Sequence, residues 1–185
     1  MCARVSRDQP DPSPRLSQAA TAAALAAGQS INSIDLGSGT AAYQGDPAVV
    51  RLPVTQADRE AETAIRALIA ARYPDHGVIG EEYGEDRPEA DHVWILDPID
   101  GTRAFIAGLP LWTNLIALRT EGRPTVGVIG QPYLDEIFVG GPSGARLLKA
   151  GAEMPLAVRP CPRLTDAVIA TTDPDLFTGA ERGAW

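Results

Sequence analysis

The chain has few cysteines and no long apolar run, and both features limit the classes of protein to which it can belong. Cys2 and Cys161, its two cysteines, lack the spacing of metal ligands, so a disulfide framework is not expected and a reducing compartment is favoured. No apolar run approaches the roughly 20 residues that cross a membrane. Residues 1–14 are rich in proline and charge and lack the apolar core of a signal peptide. We expect residues 1–14 to be a disordered lead-in of a cytoplasmic protein.

Positive charge is also in short supply. The chain has 16 Lys and Arg against 24 Asp and Glu, which gives a formal net charge of −8. Because nucleic-acid binding depends on clustered basic residues, this balance argues against a nucleic-acid partner. The length of 185 residues, with 44% hydrophobic and 22% charged residues, is typical of one globular domain with an ordinary core.

Two segments in the first part of the chain have helical spacing. Leu16 to Ala27 is rich in alanine and predicts a helix that ends at the following glycine. Residues 29–53 contain several Gly and Pro without helical period, and predict a long irregular connection. A second helix is predicted to begin at Thr55, which forms a sequence like a capping box with Asp58, and to end at Tyr73, before a proline.

From residue 77 onwards the apolar spacing changes to that of strands. Short segments rich in β-branched residues are separated by Gly or Pro, and the last of them lies near residues 167–171. The other predicted strands lie at residues 78–79, 93–96, 111–118, 125–129, 136–139 and 145–148. A helix pair followed by a meander of strands predicts an α+β layered sandwich with a largely antiparallel sheet.

Two short motifs at the ends of residues 81–102 together carry four carboxylates and a hydroxyl. Glu81–Glu82 follows one predicted strand, and Asp97, Asp100 and Thr102 follow the next. Because unpaired carboxylates at a strand end repel one another, a bound cation is expected between them. Oxygen ligands without His or Cys nearby favour Mg²⁺ or Mn²⁺ over zinc. The cluster therefore predicts metal-assisted chemistry on a phosphate.

The Asp-Pro-Ile-Asp-Gly-Thr segment gives this cluster its expected geometry. Its proline cannot join a central ladder, so we expect the strand to end at Asp97. The Ile99 carbonyl would then be available as a third oxygen ligand, and the N–H groups of Gly101 and Thr102 would receive a phosphate oxygen. The same residue types are ordinary turn formers, so a plain turn between two strands is the alternative.

Three motifs, taken in order, resemble a known family. VTQADREAE (residues 54–62), GEEYG (80–84) and WILDPIDGT (94–102) are similar to N-terminal signatures of the inositol monophosphatase superfamily of Mg²⁺-dependent, lithium-sensitive phosphomonoesterases. The continuation DGTRAFIAGLPLWTNLIAL (100–118) more closely resembles the bacterial histidinol-phosphatase branch. The resemblance covers roughly residues 53–177.

The resemblance implies a role for each residue of the cluster. Four oxygen donors would hold two Mg²⁺ ions: Glu81, Asp97, the carbonyl of Ile99, and Asp100. Four consecutive residues would hold the phosphate: Asp100, Gly101, Thr102 and Arg103. Thr102, in contact with Asp58, would orient and deprotonate the attacking water.

Some of these residues also have ordinary structural explanations. Asp58 lies in the first turn of its predicted helix, where a carboxylate caps backbone N–H groups. Arg103 fits a surface ion pair as well as a phosphate contact. Glu82 is expected to support Glu81 rather than to bind a metal directly. The two histidines lie outside the acid cluster and receive no role.

The resemblance further implies that residues 15–185 form the N-terminal portion of a layered α+β domain of the sugar-phosphatase type, with the C-terminal half absent. In the family an aspartate of that half completes the second metal site, and no residue here matches it. We therefore expect a fragment, a truncated product or a chain that no longer turns over substrate. From these 185 residues alone we expect weak metal binding and no meaningful turnover.

Hydrolysis of a small phosphorylated metabolite is the leading function, with Mg²⁺ as cofactor and histidinol phosphate as the preferred substrate. Inositol phosphate or another sugar phosphate is the close alternative. A non-catalytic remnant that binds metal or phosphate is the alternative from a different class. No membrane or nucleic-acid partner is expected, and a homodimer is left open.

Overall fold

The computed structural model describes residues 13–33, 47–168 and 170. Two long helices come first, α1 (Ser13–Ser33) and α2 (Pro47–Arg72). The described residues then form eight strands and a short helix, α3 (Thr102–Ile106), in the connection between the third and fourth strands. The strands are β1 (Gly77–Gly80), β2 (Gly84–Asp86), β3 (His92–Asp100), β4 (Thr113–Thr120), β5 (Arg123–Gln131), β6 (Glu136–Gly141), β7 (Gly144–Lys149) and β8 (Ala152–Leu156).

All eight strands belong to one sheet, in the order β2-β1-β3-β4-β5-β6-β7-β8. Every described pair is antiparallel except β1 and β3, which run parallel. The prediction of an α+β fold with a helix pair and a largely antiparallel sheet is confirmed. The parallel pair matters most for the site, because the carboxyl ends of β1 and β3 lie at the same end of the sheet.

The helix pair covers one face of the sheet and forms the core with it. α1 packs on α2 and on β4, β5 and β6. Its buried stripe consists mainly of alanines, whose small side chains let the helix lie close to the strands. The sheet contributes larger side chains to the same cluster, among them Trp94, Ile116 and Leu118.

Helix α1 does not end at Gly28, as the sequence predicted, but continues to Ser33. A Cβ atom at Gly28 would lie 3.0 Å from Cγ of Pro132. The glycine therefore allows a close approach between the helix and the turn after β5, and it does not mark a helix end.

The predicted irregular connection and the predicted start of the second helix are also wrong in part. α2 begins at Pro47, so the Thr55–Asp58 pair lies inside the helix and is not a capping box. Of the predicted connection, residues 34–46 lie outside the described residues. The helix does end before Pro74, as predicted.

The predicted strand near residues 167–171 is not found in the described residues. Leu164–Asp166 forms a 3₁₀ turn, and residues 167, 168 and 170 belong to no strand. At the other end, Ser13 and Pro14 of the predicted lead-in are already helical, and residues 1–12 lie outside the described residues. None of the described helices combines the length and apolar character needed to span a membrane.

The face of the sheet away from the helices is apolar and partly exposed; we call it the outer sheet face. Every second residue of β3 to β8 projects from it. Ile95 is 40% exposed and Ile129 45% exposed. The neighbouring strands add further apolar side chains: Leu115, Phe138, Met154 and Leu156.

Candidate active site

The parallel pairing of β1 with β3 places Glu81 beside Asp97. Gly80, the last residue of β1, is in register with Leu96. The backbone N–H of Glu81 donates to the Leu96 carbonyl at 3.3 Å, which extends the pairing by one residue. The Glu81 and Asp97 side chains are then close enough to share a hydrogen bond. Two acids that are far apart in the sequence meet at one end of the sheet, as the sequence predicted.

Strand β3 does not end at Asp97, contrary to the sequence prediction. It continues through Pro98 to Asp100, with a shift in register against β4. Asp97 pairs with Leu115 and Asp100 with Thr113, so β3 uses one more residue than β4 over this stretch. Such a bulge tolerates a proline, because the ladder is already interrupted there.

After β3 the chain turns sharply at Gly101. Its φ of 89° lies in the left-handed region, and a Cβ atom there would lie 2.6 Å from the Leu111 carbonyl oxygen. A side chain at this position would therefore be both strained and obstructed. Helix α3 begins at Thr102, directly after the turn. The hydroxyl of Thr102 donates to the Ile99 carbonyl at 3.1 Å.

The hydrogen bond from Thr102 to Ile99 affects the roles predicted for both residues. The Ile99 carbonyl accepts one hydrogen bond and keeps a second lone pair. The proton of Thr102 is directed to Ile99, and in the described part of the chain no hydrogen bond joins Thr102 to Asp58. The oxygen of Thr102 can still accept a hydrogen bond from another group.

Asp58 lies in the middle of α2, on the face that packs against the sheet. It is only 8% exposed. The pKa of Asp58 is raised to about 7, first by burial and then by the negative charges of Glu82, Glu81 and Asp97. The cap interpretation is wrong, because α2 begins far upstream of this residue. Asp58 instead belongs electrostatically to the acid cluster.

Asp97 is at the centre of the cluster. Burial raises its pKa to about 7, with contributions from the charges of Glu81 and Asp100 and from the hydrogen bond to Glu81. Its Oδ1 atom is buried and has no hydrogen-bond partner in the described part of the chain. A buried, partnerless carboxylate oxygen is costly. This atom and the all-oxygen donor set around it fit a hard divalent cation.

The cluster is nevertheless not closed around an ion position. Among the described residues, no three Asp, Glu, His or Cys side chains are close enough to form a complete metal site. Glu81, Asp100, Thr102 and Arg103 are exposed, so the cluster opens to solvent on that side. Within the described residues Arg103 makes no ion pair, and the predicted alternative of a surface ion pair has no support there.

Glu62 is a residue of the site that sequence reasoning missed. Its carboxylate is fully buried and accepts hydrogen bonds from Arg66 Nε at 2.7 Å, from the N–H of Glu82 at 2.8 Å and from the N–H of Tyr83 at 3.3 Å. A Cβ atom at Gly80 would lie 2.0 Å from Glu62 Oε1, so only glycine fits beside it. The available signal was a glutamate within the apolar stripe of an amphipathic helix.

Asn114 was missed as well. It is fully buried, and its Nδ2 donates to the Pro98 carbonyl at the bulge of β3. It occupies an inward-facing position of β4, in alternation with Ile116 and Leu118. A single amide in an otherwise apolar alternation was the signal that could have identified it.

A model of the inositol monophosphatase family matches residues 12–175. The match covers most of the chain, including all the site residues described above. The chain belongs to the inositol monophosphatase family.

Curated relatives carry several different names. The chain is 44% identical over 128 residues to the chloroplastic bifunctional phosphatase IMPL2 of Arabidopsis thaliana, a match of 68% of this chain and 36% of the relative. It is 51% identical over 86 residues to a histidinol-phosphatase of Chlorobaculum parvum, 46% of this chain and 33% of the relative. An inositol-1-monophosphatase of Mesorhizobium japonicum is 36% identical over 127 residues, 68% of this chain and 47% of the relative. The chain thus spans about a third to a half of the length of these relatives.

The fold agrees with solved structures of the family. An inositol monophosphatase from Zymomonas mobilis matches with a TM-score of 0.71 and 37% identity, over 91% of this chain and 62% of that chain. SuhB of Mycobacterium tuberculosis, with a TM-score of 0.66 and 24% identity, shows the same fold over 84% of this chain and 56% of that chain.

Proposed function

We propose that this chain carries the metal- and phosphate-binding part of a Mg²⁺-dependent phosphomonoesterase, with histidinol phosphate as its substrate. The observation that supports the proposal most directly is the convergence of acids at the carboxyl ends of β1 and β3. Glu81 and Asp97 share a hydrogen bond there, and Oδ1 of Asp97, which has no hydrogen-bond partner among the described residues, lies among negative charges. This arrangement is costly in the absence of a cation.

The residues that would hold Mg²⁺ are oxygen donors of β1 and β3 and their following turns: Glu81, Asp97, Asp100 and the carbonyl of Ile99. Bound Mg²⁺ would supply positive charge that stabilises the attacking and leaving oxygens of an in-line displacement.

The protein's own residues would position the reactants. The hydroxyl of Thr102 donates its proton to the Ile99 carbonyl. Its oxygen would therefore accept a hydrogen bond from a water molecule and orient that water. Asp58 is the buried carboxylate of the neighbouring helix and would accept the proton that this water gives up. Gly101 and Arg103, on either side of Thr102, would contact the phosphate through the backbone and the guanidinium group.

The choice of substrate rests on similarity. The relatives named histidinol-phosphatase, from Chlorobaculum parvum and Mycobacterium tuberculosis, are 51% and 46% identical to this chain over 86 and 82 residues. The relatives named inositol-1-monophosphatase are 36% and 38% identical over 127 and 128 residues, and they support inositol phosphate as the second candidate.

A non-catalytic remnant that binds metal or phosphate is the other candidate. It is favoured by one observation, that no three metal-ligating side chains form a complete site among the described residues.

The test is phosphate release from histidinol phosphate and from inositol 1-phosphate at saturating Mg²⁺. It should be run on the 185-residue chain and on the complete product of its reading frame, each beside its Asp97→Asn variant. We expect a higher kcat/KM for histidinol phosphate in the form that turns over, and loss of turnover in the variant. Equal or reversed kcat/KM values would refute histidinol phosphate as the preferred substrate. Absence of Asp97-dependent turnover in both forms would favour the non-catalytic remnant over the enzyme.

A further inference from the structure

Asn114 is a polar side chain in the apolar layer between α1 and the sheet. It is fully buried on the inner face of β4, in the same row as Ile116 and Leu118. Burial of an amide in such a place is unfavourable unless its polar atoms are hydrogen-bonded. The residue therefore calls for an explanation beyond packing.

The Nδ2 donor of Asn114 compensates for the backbone hydrogen bond that is lost at the bulge in β3. In a regular antiparallel ladder, carbonyls of β3 would accept backbone N–H groups of β4. The register shift between Asp97 and Asp100 interrupts this ladder at Pro98, and the side-chain Nδ2 of Asn114 donates to the Pro98 carbonyl instead. A side chain thus takes the place of the missing backbone contact.

Its acceptor has no such compensation. The Oδ1 atom of Asn114 is buried without a hydrogen-bond partner in the described part of the chain. Gly130 makes room for it, because a Cβ atom there would lie 3.3 Å from this oxygen. An aliphatic side chain would avoid the cost of the lone acceptor but would leave the Pro98 carbonyl unpaired.

We propose that Asn114 is a positioning residue of the acid cluster. By holding the Pro98 carbonyl across the bulge, it fixes the directions in which Asp97 and Asp100 project from the strand end. The two acids flank the held peptide group, so a rotation of that group would move both. The inference rests on the proposed function, because the directions of the two acids matter only if the acids bind a divalent cation.

The test compares two variants that lose the donor and differ in volume, Asn114→Leu and Asn114→Ala. Leu118→Ala is the matched control: it creates a cavity on the same face of the same strand, four residues from Asn114, where β4 is in register with Trp94 and not with the acids. The first measurement, without metal, is the carboxyl carbon resonances of Asp97 and Asp100 in the folded proteins. The second is Mg²⁺ affinity by titration calorimetry.

We expect both Asn114 variants to shift the two carboxyl resonances and to weaken Mg²⁺ binding by about 10–100-fold, while Leu118→Ala changes neither. Folded Asn114 variants with unchanged resonances and an affinity within about threefold of the wild type would overturn the inference and leave the proposed function standing. If the wild type itself binds no Mg²⁺, the proposed function fails, and the resonances measured without metal still decide whether Asn114 positions the acids.

A measurement on the wild type covers the case in which the variants do not fold. The side-chain amide of Asn114 is buried and donates a hydrogen bond. Its hydrogens should therefore exchange with water far more slowly than those of an exposed asparagine side chain. Exchange at the rate of an exposed amide would show that the contact with Pro98 is not maintained, and the inference would be wrong.

Discussion

Glu62 on α2 accepts the backbone N–H of Glu82 at 2.8 Å, and this contact joins the helix layer to the turn that carries Glu81. The same carboxylate is paired with Arg66 at 2.7 Å. Asp58 lies four residues before Glu62 and therefore on the same helix face. One buried carboxylate thus fixes how α2 lies against β1, and with it the distance of Asp58 from the acids of the sheet.

Glu62→Gln should destabilise the protein by about 2–3 kcal/mol. An amide nitrogen would replace one of the two oxygens that accept hydrogen bonds, and Arg66 would lose its charged partner. The measurement is urea unfolding followed by circular dichroism. Glu85→Gln, at an exposed acid of β2, is the control and should change stability by less than about 0.5 kcal/mol. Equal effects of the two substitutions would contradict this interpretation of Glu62.

Asp97→Asn should remove the response of the protein to Mg²⁺. Binding to the folded state raises its stability, by about 2.7 kcal/mol at a ligand concentration 100 times Kd, so Mg²⁺ should raise the Tm of the wild type. Without metal the variant should be no less stable than the wild type, because it relieves the repulsion among Asp97, Glu81 and Asp100. Glu89→Gln, an exposed acid at the other end of the sheet, should keep the response. An undiminished Mg²⁺ response in Asp97→Asn would refute the metal site.

Thr102→Ala should lower kcat much more than Mg²⁺ affinity. Its hydroxyl is proposed to orient a water, which matters in the transition state and little for the binding of a cation. The expected loss in kcat is on the order of 10²–10⁴. Thr102→Ser keeps the hydroxyl and should retain most of the rate. The assay is phosphate release in the form of the protein that turns over, and an alanine variant within about threefold of the wild type would show that the water is oriented by another group.

Stability should fall in acid because of His76. Its Nδ1 accepts a hydrogen bond from Trp94 Nε1 at 3.0 Å, and its ring stacks 4.7 Å from that of Tyr73. Burial, together with the nearby His92, lowers the pKa of His76 from 6.5 to about 4. The folded state therefore favours the neutral ring, and the stability that this provides is complete above about pH 6.5 and is lost as the pH falls towards 4.

His76→Gln isolates this effect, because glutamine can still accept from Trp94 and does not titrate. The free energy of unfolding of the wild type minus that of the variant should fall by roughly 1–2 kcal/mol between pH 7 and pH 4.5, after allowance for partial exposure of the ring. Unfolding curves at several pH values measure it. A difference that stays constant with pH would show that His76 titrates normally.

The outer sheet face should bind an apolar fluorescent dye in the folded state. Ile95 and Ile129 are exposed on it, and contiguous apolar surface of this kind promotes association. Replacing both with threonine should reduce dye fluorescence and concentration-dependent association, at a cost of less than about 1 kcal/mol in stability. Val128→Thr, a buried position on the opposite face, should instead lower stability and leave dye binding to the folded state unchanged. Equal dye binding by the double variant would place the exposed apolar surface elsewhere.

The sequence by itself determined the type and order of most elements, and it was enough to predict which acids form the candidate site. Apolar spacing changes from helical to strand-like near residue 77, and this local pattern was enough to predict a helix pair with a largely antiparallel sheet. Glu81, Asp97 and Asp100 could be predicted to bind a cation because carboxylate chemistry depends on residue type, and that binding stays a prediction. Two strands, β2 and β8, were not predicted, since both are short and exposed and β2 has no apolar residue.

Only the tertiary structure decided where the elements end and which side chains meet. Gly28 lies inside α1, where it allows the close approach of Pro132, and Pro98 lies inside β3, where the ladder to β4 is shifted. The backbone partners of Glu62 and Asn114 are 16 to 21 residues away in the sequence. Such contacts depend on strand register and on the packing of helices against the sheet. Local propensity carries no information about either, so they could not be derived from residue patterns alone.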